Sequence, residues 1–288
     1  MRIVERVAAG AEPDRLISLN HRLPGRKALL TRPQSSRPSG EVCMFQAKLK
    51  SDTLKELVGV VSSLVEEVKI SLHKDSISLK AVDTSHVAMI ELTLSAKAFD
   101  SYKAAEKEIG VDLNKIKDVL KLASPGEQIE WTLNEEKNKM VFKLGNITRY
   151  MSLVDLSGMT DPRVPKLDLP AKIVVDLEEF RKGIRAAEAI TDHIALIAAS
   201  DGFRMEAEGD TERVELQLGK DHGVKEIKIK ETVRSVFPLD YLSTMMKAVS
   251  ASPIEVHMGQ EYPVRLVFTM AEGAGEGAFL LAPRIEND

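Results

Sequence analysis

The sequence has a single cysteine, Cys43, among its 288 residues. One cysteine excludes a framework of intramolecular disulfides and favours a reducing compartment. No apolar run approaches the roughly 18 residues that a membrane-spanning helix needs, and the first residues lack the continuous apolar region of a secretory signal. We therefore expect a protein that does not interact with a membrane.

An excess of one charge is also missing. The chain has 40 Lys and Arg against 44 Asp and Glu, a net charge of −4. This balance argues against a simple nucleic-acid-binding protein, so any contact with DNA requires local segregation of charge. The hydrophobic fraction of 43% is enough for packed cores, and the length allows about two domains.

Recognisable catalytic and metal-binding patterns are absent from the sequence. No two of the six histidines lie at metal-ligand spacing, and no Cys-x-x-Cys pair exists. The phosphate-binding loop, nucleophile-elbow and zinc-protease motifs are missing too. The glycine-rich residues 273–277 contain Glu276, so they predict a hairpin loop rather than a phosphate cradle. We predict no catalytic residue, no metal and no cofactor; an enzyme whose site assembles from distant residues is an open alternative.

An internal duplication organises the chain. The spacing of apolar residues after position 54 predicts a helix over 54–68, with Thr53 and Glu56 as a capping box, followed by strands. The same pattern returns 126 residues later. Matching helix positions are Leu54 with Phe180, Val58 with Ile184, Val61 with Ala187, Leu64 with Ile190, Leu113 with Leu239, Ile116 with Leu242 and Leu120 with Met246. The fold class is therefore α+β, with two similar units that each hold two helices and several strands.

Periodicity predicts the remaining elements. Predicted strands lie at 44–49, 70–72, 77–81, 88–94, 129–133, 140–144, 148–154, 172–175, 195–199, 202–207, 213–218, 254–258, 265–270 and 278–281. Further predicted helices lie at 113–122, 177–190 and 239–249, the second with a capping box of Asp176 and Glu179. Residues 96–109 are predicted as a polar connection, and the proline-rich 157–170 as the linker between the units.

Residues 1–43 differ in composition from the rest. They carry eight basic and four acidic residues, and 32–40 are rich in Arg, Pro and Ser. This composition predicts a disordered extension, or sequence translated upstream of a true start at Met44. A basic tail that contacts phosphates is the alternative.

Basic residues collect on the polar faces of the four predicted helices. They are Lys55, Lys117, Lys121, Arg181, Lys182, Arg185 and Lys247. For each helix alone, a solvated amphipathic face is the ordinary interpretation. If the four helices share one surface, these residues would contact phosphates without reading sequence and in a salt-sensitive way. Acidic residues such as Glu56, Asp118 and Asp240 lie among them and oppose strong affinity.

Several collinear motifs resemble the proliferating cell nuclear antigen (PCNA) family of DNA sliding clamps, in its archaeal form. They are MFQAKL at 44–49, DTSHVA at 83–88, GVDL at 110–113, PKLDLP at 165–170 and LAPRIE at 281–286. The resemblance covers residues 44–288. It implies two clamp domains, 44–156 and 171–288, joined by a connector at 157–170.

The resemblance implies a closed, head-to-tail homotrimer whose helices line a hole around double-stranded DNA. Subunits would join through edge strands near 139–151 and 211–218. Such a ring is not catalytic. A clamp loader, replication factor C, closes it around DNA, and it tethers replicative DNA polymerase, flap endonuclease and DNA ligase. An archaeal form would act in the cytoplasm at the nucleoid, and a eukaryotic form in the nucleus.

The resemblance also implies a pocket for short partner peptides that carry a glutamine, an aliphatic residue and paired aromatics. Its residues would be Val82, His86, Val87, Val164, Pro165, Leu167, Leu280, Ala282, Pro283 and Ile285. Among the helix residues, Lys121, Lys182, Arg185 and Lys247 match basic positions that face DNA in the family. The alternative function is a peptide-binding scaffold of the same fold, or a subunit of a hetero-oligomeric clamp, that does not encircle DNA by itself.

Overall fold

The computed structural model of the chain describes residues 45–159 and 161–284. The predictions for residues 1–43 and for Ile285 lie outside the described residues. The first half holds β1 (Phe45–Lys50), α1 (Ser51–Val61), β2 (Glu67–Leu72), β3 (Ser76–Val82), β4 (Ala88–Ser95), β5 (Ser101–Ala104), β6 (Lys107–Asp112), α2 (Leu113–Leu120), β7 (Gln128–Asn134), β8 (Lys139–Leu144) and β9 (Ile147–Ser152).

The second half repeats this order of elements. It holds β10 (Ala171–Val175), α3 (Leu177–Glu188), β11 (His193–Ala199), β12 (Gly202–Glu208), β13 (Arg213–Leu218), β14 (Val224–Ile229), β15 (Val233–Pro238), α4 (Leu239–Ala248), β16 (Ile254–Met258), β17 (Val264–Met270) and β18 (Gly275–Leu281). The predicted α+β duplication is therefore confirmed, with each pair of helices at equivalent places in the repeat.

Helix α1 is shorter than predicted, and its capping box was wrong. It begins at Ser51 and ends at Val61, while Val68 lies in β2. The Ser51 backbone N–H and hydroxyl donate to carbonyls of the loop before β7, at Glu127 (2.7 Å) and Ser124 (2.8 Å). Contacts with a distant loop therefore fix the start of this helix, and a local pattern could not reveal them.

The Asp176 cap of α3 was predicted correctly. Its carboxylate accepts from the backbone N–H of Glu178 at 2.9 Å and of Glu179 at 3.3 Å, which satisfies donors that the first turn leaves unpaired. The reciprocal half of the box does not form, because the Asp176 N–H donates to the Gly223 carbonyl. A one-sided cap thus suffices to start this helix.

The polar connection predicted for 96–109 was wrong, since it contains β5 and β6. Strand β5 pairs with β1, and β6 pairs with β2, both antiparallel. The short strand β5 has a half-buried and exposed pattern with no buried residue, so its sequence lacks the apolar alternation on which strand prediction rests. Its pairing with β1 makes it a strand.

The strands form three sheets with antiparallel pairing between neighbours. Their orders are β5-β1-β7-β8-β9, β14-β10-β16-β17-β18-β4-β3-β2-β6 and β13-β12-β11-β15. The nine-stranded sheet joins the two halves, because β18 of the second half pairs with β4 of the first over seven residue pairs. The halves are therefore connected by backbone hydrogen bonds as well as by the chain itself.

The four helices form one row. Helix α1 packs against α2 and α4, and α4 packs against α3, which gives the order α2-α1-α4-α3. The Glu56 carboxylate of α1 accepts from the Ala271 N–H at 2.9 Å and from the Ser250 hydroxyl, so it ties α1 to the second half. None of the helices among the described residues is long and apolar enough to span a bilayer.

Candidate functional site

A tight loop follows β3 and is organised by Asp83, whose side chain is buried. The Asp83 carboxylate accepts from the backbone N–H of Ala88 (2.7 Å), Val87 (2.8 Å) and Ser85 (3.0 Å). Within this loop, His86 adopts a left-handed conformation with φ of 58°. The loop therefore presents His86 and Val87 in one fixed orientation.

The same carboxylate connects the loop to the second half of the molecule. The Tyr241 hydroxyl of α4 donates to it at 2.8 Å. Burial alone raises the pKa of Asp83, but the N–H of Ala88, the Tyr241 hydroxyl and the other two amides outweigh it and hold this pKa below its usual range. In turn, the hydrogen bond to Asp83, together with burial, raises the pKa of Tyr241.

An apolar hollow lies beside this loop. We call this hollow the partner hollow. It has a volume of about 380 Å³ and lies between the loop, the connector and the end of β18. Its lining residues are Val82, His86, Val87, Ala88, Met89, Pro162, Arg163, Pro165, Pro263, Leu280 and Ala282. Six residues predicted for the peptide pocket meet here: Val82, His86, Val87, Pro165, Leu280 and Ala282.

The other predicted pocket residues lie elsewhere. Val164 and Leu167 line a neighbouring hollow of about 450 Å³ beneath the connector, and this hollow shares Pro165 and Leu280 with the first. Pro283 lines neither of the two. Glu91, Arg265 and His257 make this second hollow polar. The predicted set is therefore divided between two adjoining depressions.

Five lining residues were not predicted: Ala88, Met89, Pro162, Arg163 and Pro263. Met89 directly opposes Leu280 across the β4–β18 pair. It could therefore have been found only if that pairing had been known. Pro162 and Arg163 belong to the predicted linker, whose course has no sequence signature. Nothing in the sequence pointed to Pro263.

Two contacts hold the connector in place. The Lys69 amine of β2 lies 2.8 Å from the Asp161 carboxylate and 3.1 Å from that of Glu108, and its side chain is only 12% exposed. The hydrogen bond that the Lys69 amine donates to the Asp161 carboxylate is the main reason that the pKa of Lys69 is raised. At the other end, the Pro170 carbonyl accepts from the Lys230 N–H at 3.2 Å.

Most of the predicted basic residues lie exposed on the row of helices. The side chains of Lys121, Lys182 and Lys247 are 74%, 64% and 70% exposed, and Arg185 is exposed too. Each of the three lysines has an acidic neighbour: Asp118 at 2.8 Å, Glu179 at 3.6 Å and Glu188 at 3.7 Å, respectively. Lys55, Lys117 and Lys121 together line a groove between α1 and α2.

Arg181 differs from the other basic residues. Its guanidinium donates to the Met246 carbonyl at 2.6 and 2.9 Å and to the Val249 carbonyl, at the C-terminal end of α4. The side chain is only 22% exposed and also pairs with Glu178. It satisfies carbonyls that the last turn of a helix leaves unpaired. This role stabilises the α3–α4 pair, so we omit Arg181 from the DNA-facing set.

Six of the described strands lie at sheet edges, and β9 and β13 are two of them. Strand β9 ends the five-stranded sheet, and β13 ends the four-stranded sheet. Two large apolar side chains of β9, Ile147 and Tyr150, are 47% and 58% exposed. Strand β13 lies within the range 211–218 that was predicted to join subunits, and β9 overlaps the other predicted range, 139–151, except at Ser152. No group of three His, Cys, Asp or Glu side chains suited to a metal ion occurs among residues 45–159 and 161–284.

Two family models match the chain. The model of the N-terminal domain of proliferating cell nuclear antigen matches residues 44–158, and that of the C-terminal domain matches residues 163–284. The chain belongs to the PCNA family. The predicted resemblance is thereby confirmed.

Relatives in this family include archaeal proteins. A "DNA polymerase sliding clamp" of Methanosarcina barkeri is 40% identical over 247 residues, which are 85% of this chain and all of the relative. A protein of the same name from Halobacterium salinarum is 36% identical over 249 residues, with the same coverage.

Solved structures of PCNA proteins have the same fold. A. fulgidus PCNA, in a structure with the C-terminal region of FEN-1 bound, superposes with a TM-score of 0.80 at 33% identity. The match covers 85% of this chain and all of that one. PCNA from Thermococcus kodakaraensis gives a TM-score of 0.78 at 24% identity, over 83% of this chain and all of the other. That second likeness supports the fold alone.

Proposed function

We propose that this chain is a DNA sliding clamp, which encircles duplex DNA and tethers DNA polymerase and other replication and repair enzymes. The chain matches the full length of relatives that are named DNA polymerase sliding clamp. In this proposal, residues 44–156 and 171–288 are the two clamp domains and 157–170 is the connector. The protein acts at the chromosome, in an archaeal cell at the nucleoid, and catalyses no reaction itself.

One observation carries the proposal: the helices of both halves form a single row, α2-α1-α4-α3, with exposed cations along it. A continuous layer of this kind supports a surface that follows the phosphate backbone without contacting bases. The ion pairs of Lys121, Lys182 and Lys247 with their acidic neighbours lie at the solvent-exposed surface, where ion pairs are weak. Phosphates therefore compete readily for these lysines, and the contacts stay loose enough for sliding.

The edge strands support closure into a homotrimer. A contact between β9 of one copy and β13 of the next would pair two edges and cover Ile147 and Tyr150. Such a head-to-tail contact repeats until the ring closes, and closure removes every free edge of this kind. In this arrangement a clamp loader of the replication factor C type is needed to place the ring on DNA.

The partner hollow supports tethering. Its apolar walls and its position between a rigid loop and the connector suit a short segment with aliphatic and aromatic anchors. The related A. fulgidus protein has been solved with a C-terminal region of FEN-1 bound. By analogy, we assign polymerase, flap endonuclease and ligase as partners of this chain, each held near DNA at a raised effective concentration.

Retention on circular DNA tests this function. The chain is loaded by replication factor C onto a nicked circular plasmid, separated from free protein, and the DNA is then cut once. We expect retention on the circle and release after linearisation, because a ring leaves only over an end. Release from intact circles at the same rate as from linearised DNA would favour the alternative, a scaffold that does not encircle DNA.

Charge reversal tests the helix row. The double variant Lys182→Glu and Arg185→Glu should weaken direct binding to duplex DNA and lower the steepness of its salt dependence, because about two phosphate contacts are lost. Lys97→Glu, at an exposed lysine outside the helices α1 to α4, is the control. An unchanged salt slope in the double variant would contradict the assignment of this surface.

A further inference from the structure

The described residues that line the partner hollow carry a positive charge and no negative one. Among the described residues that line it, Arg163 is the only one with a permanent charge, and no carboxylate is present. Arg163 is exposed and forms no ion pair with any other described residue. A guanidinium at the wall of an apolar hollow has five N–H donors in a planar fork that matches a carboxylate.

Two acids near the hollow, Asp161 and Glu91, are paired with other cations. Asp161, two residues before Arg163, pairs with the largely buried Lys69 at 2.8 Å. Glu91, in the adjoining second hollow, lies 3.5 Å from the Lys80 amine and 4.0 Å from the Arg265 guanidinium. The acid on the far stretch of the connector, Asp168, lines that second hollow together with Arg265 and His257. No carboxylate among the described residues lies within ion-pair distance of the Arg163 guanidinium.

We propose that Arg163 makes this clamp select partner segments with a Glu or Asp next to their apolar anchors. The inference rests on the proposed tethering function and adds a charge preference to it. The partner's carboxylate would accept from the Arg163 guanidinium while its aliphatic and aromatic side chains fill the hollow. Because the apolar contacts supply most of the affinity, the acid decides between partners and does not by itself create binding.

The size of the effect follows from the exposure of Arg163. Rim ion pairs contribute little when fully solvated, and more when an arginine binds a carboxylate through two hydrogen bonds beside an apolar wall. We therefore expect the acidic segment to bind about threefold to tenfold more tightly than a neutral one at low salt. The preference should shrink as salt rises, because salt weakens an ion pair at the solvent-exposed surface.

Three synthetic peptides test the inference. They share a glutamine, an aliphatic residue and two adjacent aromatics, and they differ only in flanking residues that are Glu, Gln or Lys. Dissociation constants are measured by fluorescence anisotropy at low and physiological salt. Wild type, Arg163→Gln, Arg163→Glu and the remote control Lys97→Glu are compared after equal melting temperatures and masses have been verified.

The expected result is a Glu-over-Gln-over-Lys order for wild type and Lys97→Glu, loss of the order in Arg163→Gln, and its reversal in Arg163→Glu. Equal affinity of the Glu and Lys peptides for wild type overturns the inference and leaves the hollow intact as a partner site. The inference also fails if a preference appears only after Glu286→Gln and Asp288→Asn, since the chain's own tail would then neutralise Arg163. If no peptide binds, the tethering function and the inference fall together.

Discussion

Asp83 shows how a single buried carboxylate connects the two halves of the molecule at the partner hollow. It has four donors, three from its own loop and one from Tyr241 of α4. Its depressed pKa means that the folded state favours the ionised form. This contribution to stability is therefore complete above the unfolded pKa of about 3.9, and it is lost as the pH falls through the lower folded value.

Tyr241→Phe should remove one of these donors and raise the pKa of Asp83 towards its usual value. We expect a loss of about 1–2 kcal/mol in the free energy of unfolding near neutral pH, since hydrogen bonds to charged groups are worth about 1.5–3 kcal/mol. The loss should shrink at acid pH, where wild type also forfeits the charge. Urea titrations between pH 3 and 7 measure both effects. Tyr262→Phe, at an exposed tyrosine, should change neither; equal destabilisation at every pH would contradict this role of Asp83.

Arg181 and Lys182 provide a matched pair of adjacent cations with different expected roles. Arg181→Ala removes hydrogen bonds to the end of α4 and should lower the free energy of unfolding by about 1–3 kcal/mol. Lys182→Ala, at an exposed site, should leave stability within about 0.5 kcal/mol and weaken DNA binding instead. Denaturation and DNA titrations on both variants separate the roles, and a stable Arg181→Ala that loses DNA affinity would reverse our assignment.

The same pair shows the limit of sequence reasoning for single residues. Both cations fall on the polar face of α3 by their spacing. What separates them is the C-terminal end of α4, which is 65 residues further along the chain at Met246 and adjacent only after folding. Likewise, His86 and Val87, predicted from the motif of residues 83–88, both line the partner hollow, whereas the predicted connector residues are divided between two hollows.

At the scale of elements, the helices and most strands could be predicted because amphipathic period is a local property. The central strands and the helices α2, α3 and α4 have apolar residues at regular spacing and buried sides in the structure. Strands β5, β6, β14 and β15 and the ends of α1 were not predicted in this way. Their state depends on hydrogen bonds from β1, β2, β10, β11 and the loop before β7.

Strand β18 offers a prediction at this scale. A Cβ on Gly277 would lie 2.4 Å from the Phe268 ring on β17, in the middle of the nine-stranded sheet. Gly277→Ala should therefore destabilise the protein by about 1–3 kcal/mol through overpacking.

The control is Gly59→Ala in α1, where a Cβ has open space within 4 Å. This change should stabilise the protein by up to about 1 kcal/mol, because alanine favours the helix over glycine. Thermal and urea unfolding of the two variants compare them directly. Equal effects of the same sign would mean that local packing does not decide the outcome.

For the whole molecule, the decisive quantity is the mass in solution. We expect three times the subunit mass of 31.8 kDa by light scattering at micromolar concentration. Ile147→Lys with Tyr150→Glu should place charge on the exposed side chains of edge strand β9 and yield monomers, because the paired edge would bury unpaired charges. Tyr262→Glu, at an exposed aromatic in another place, should leave the trimer intact. A wild-type monomer would contradict the ring.

The seam between β4 and β18 has a mechanical consequence for such a ring. Seven consecutive residue pairs cross it, with Glu56 acting as a further tie between the halves. In the proposed ring, these hydrogen bonds would make the centre of each copy resist bending. The ring would then open where one copy meets the next, and the proposed loader would act at that contact between copies.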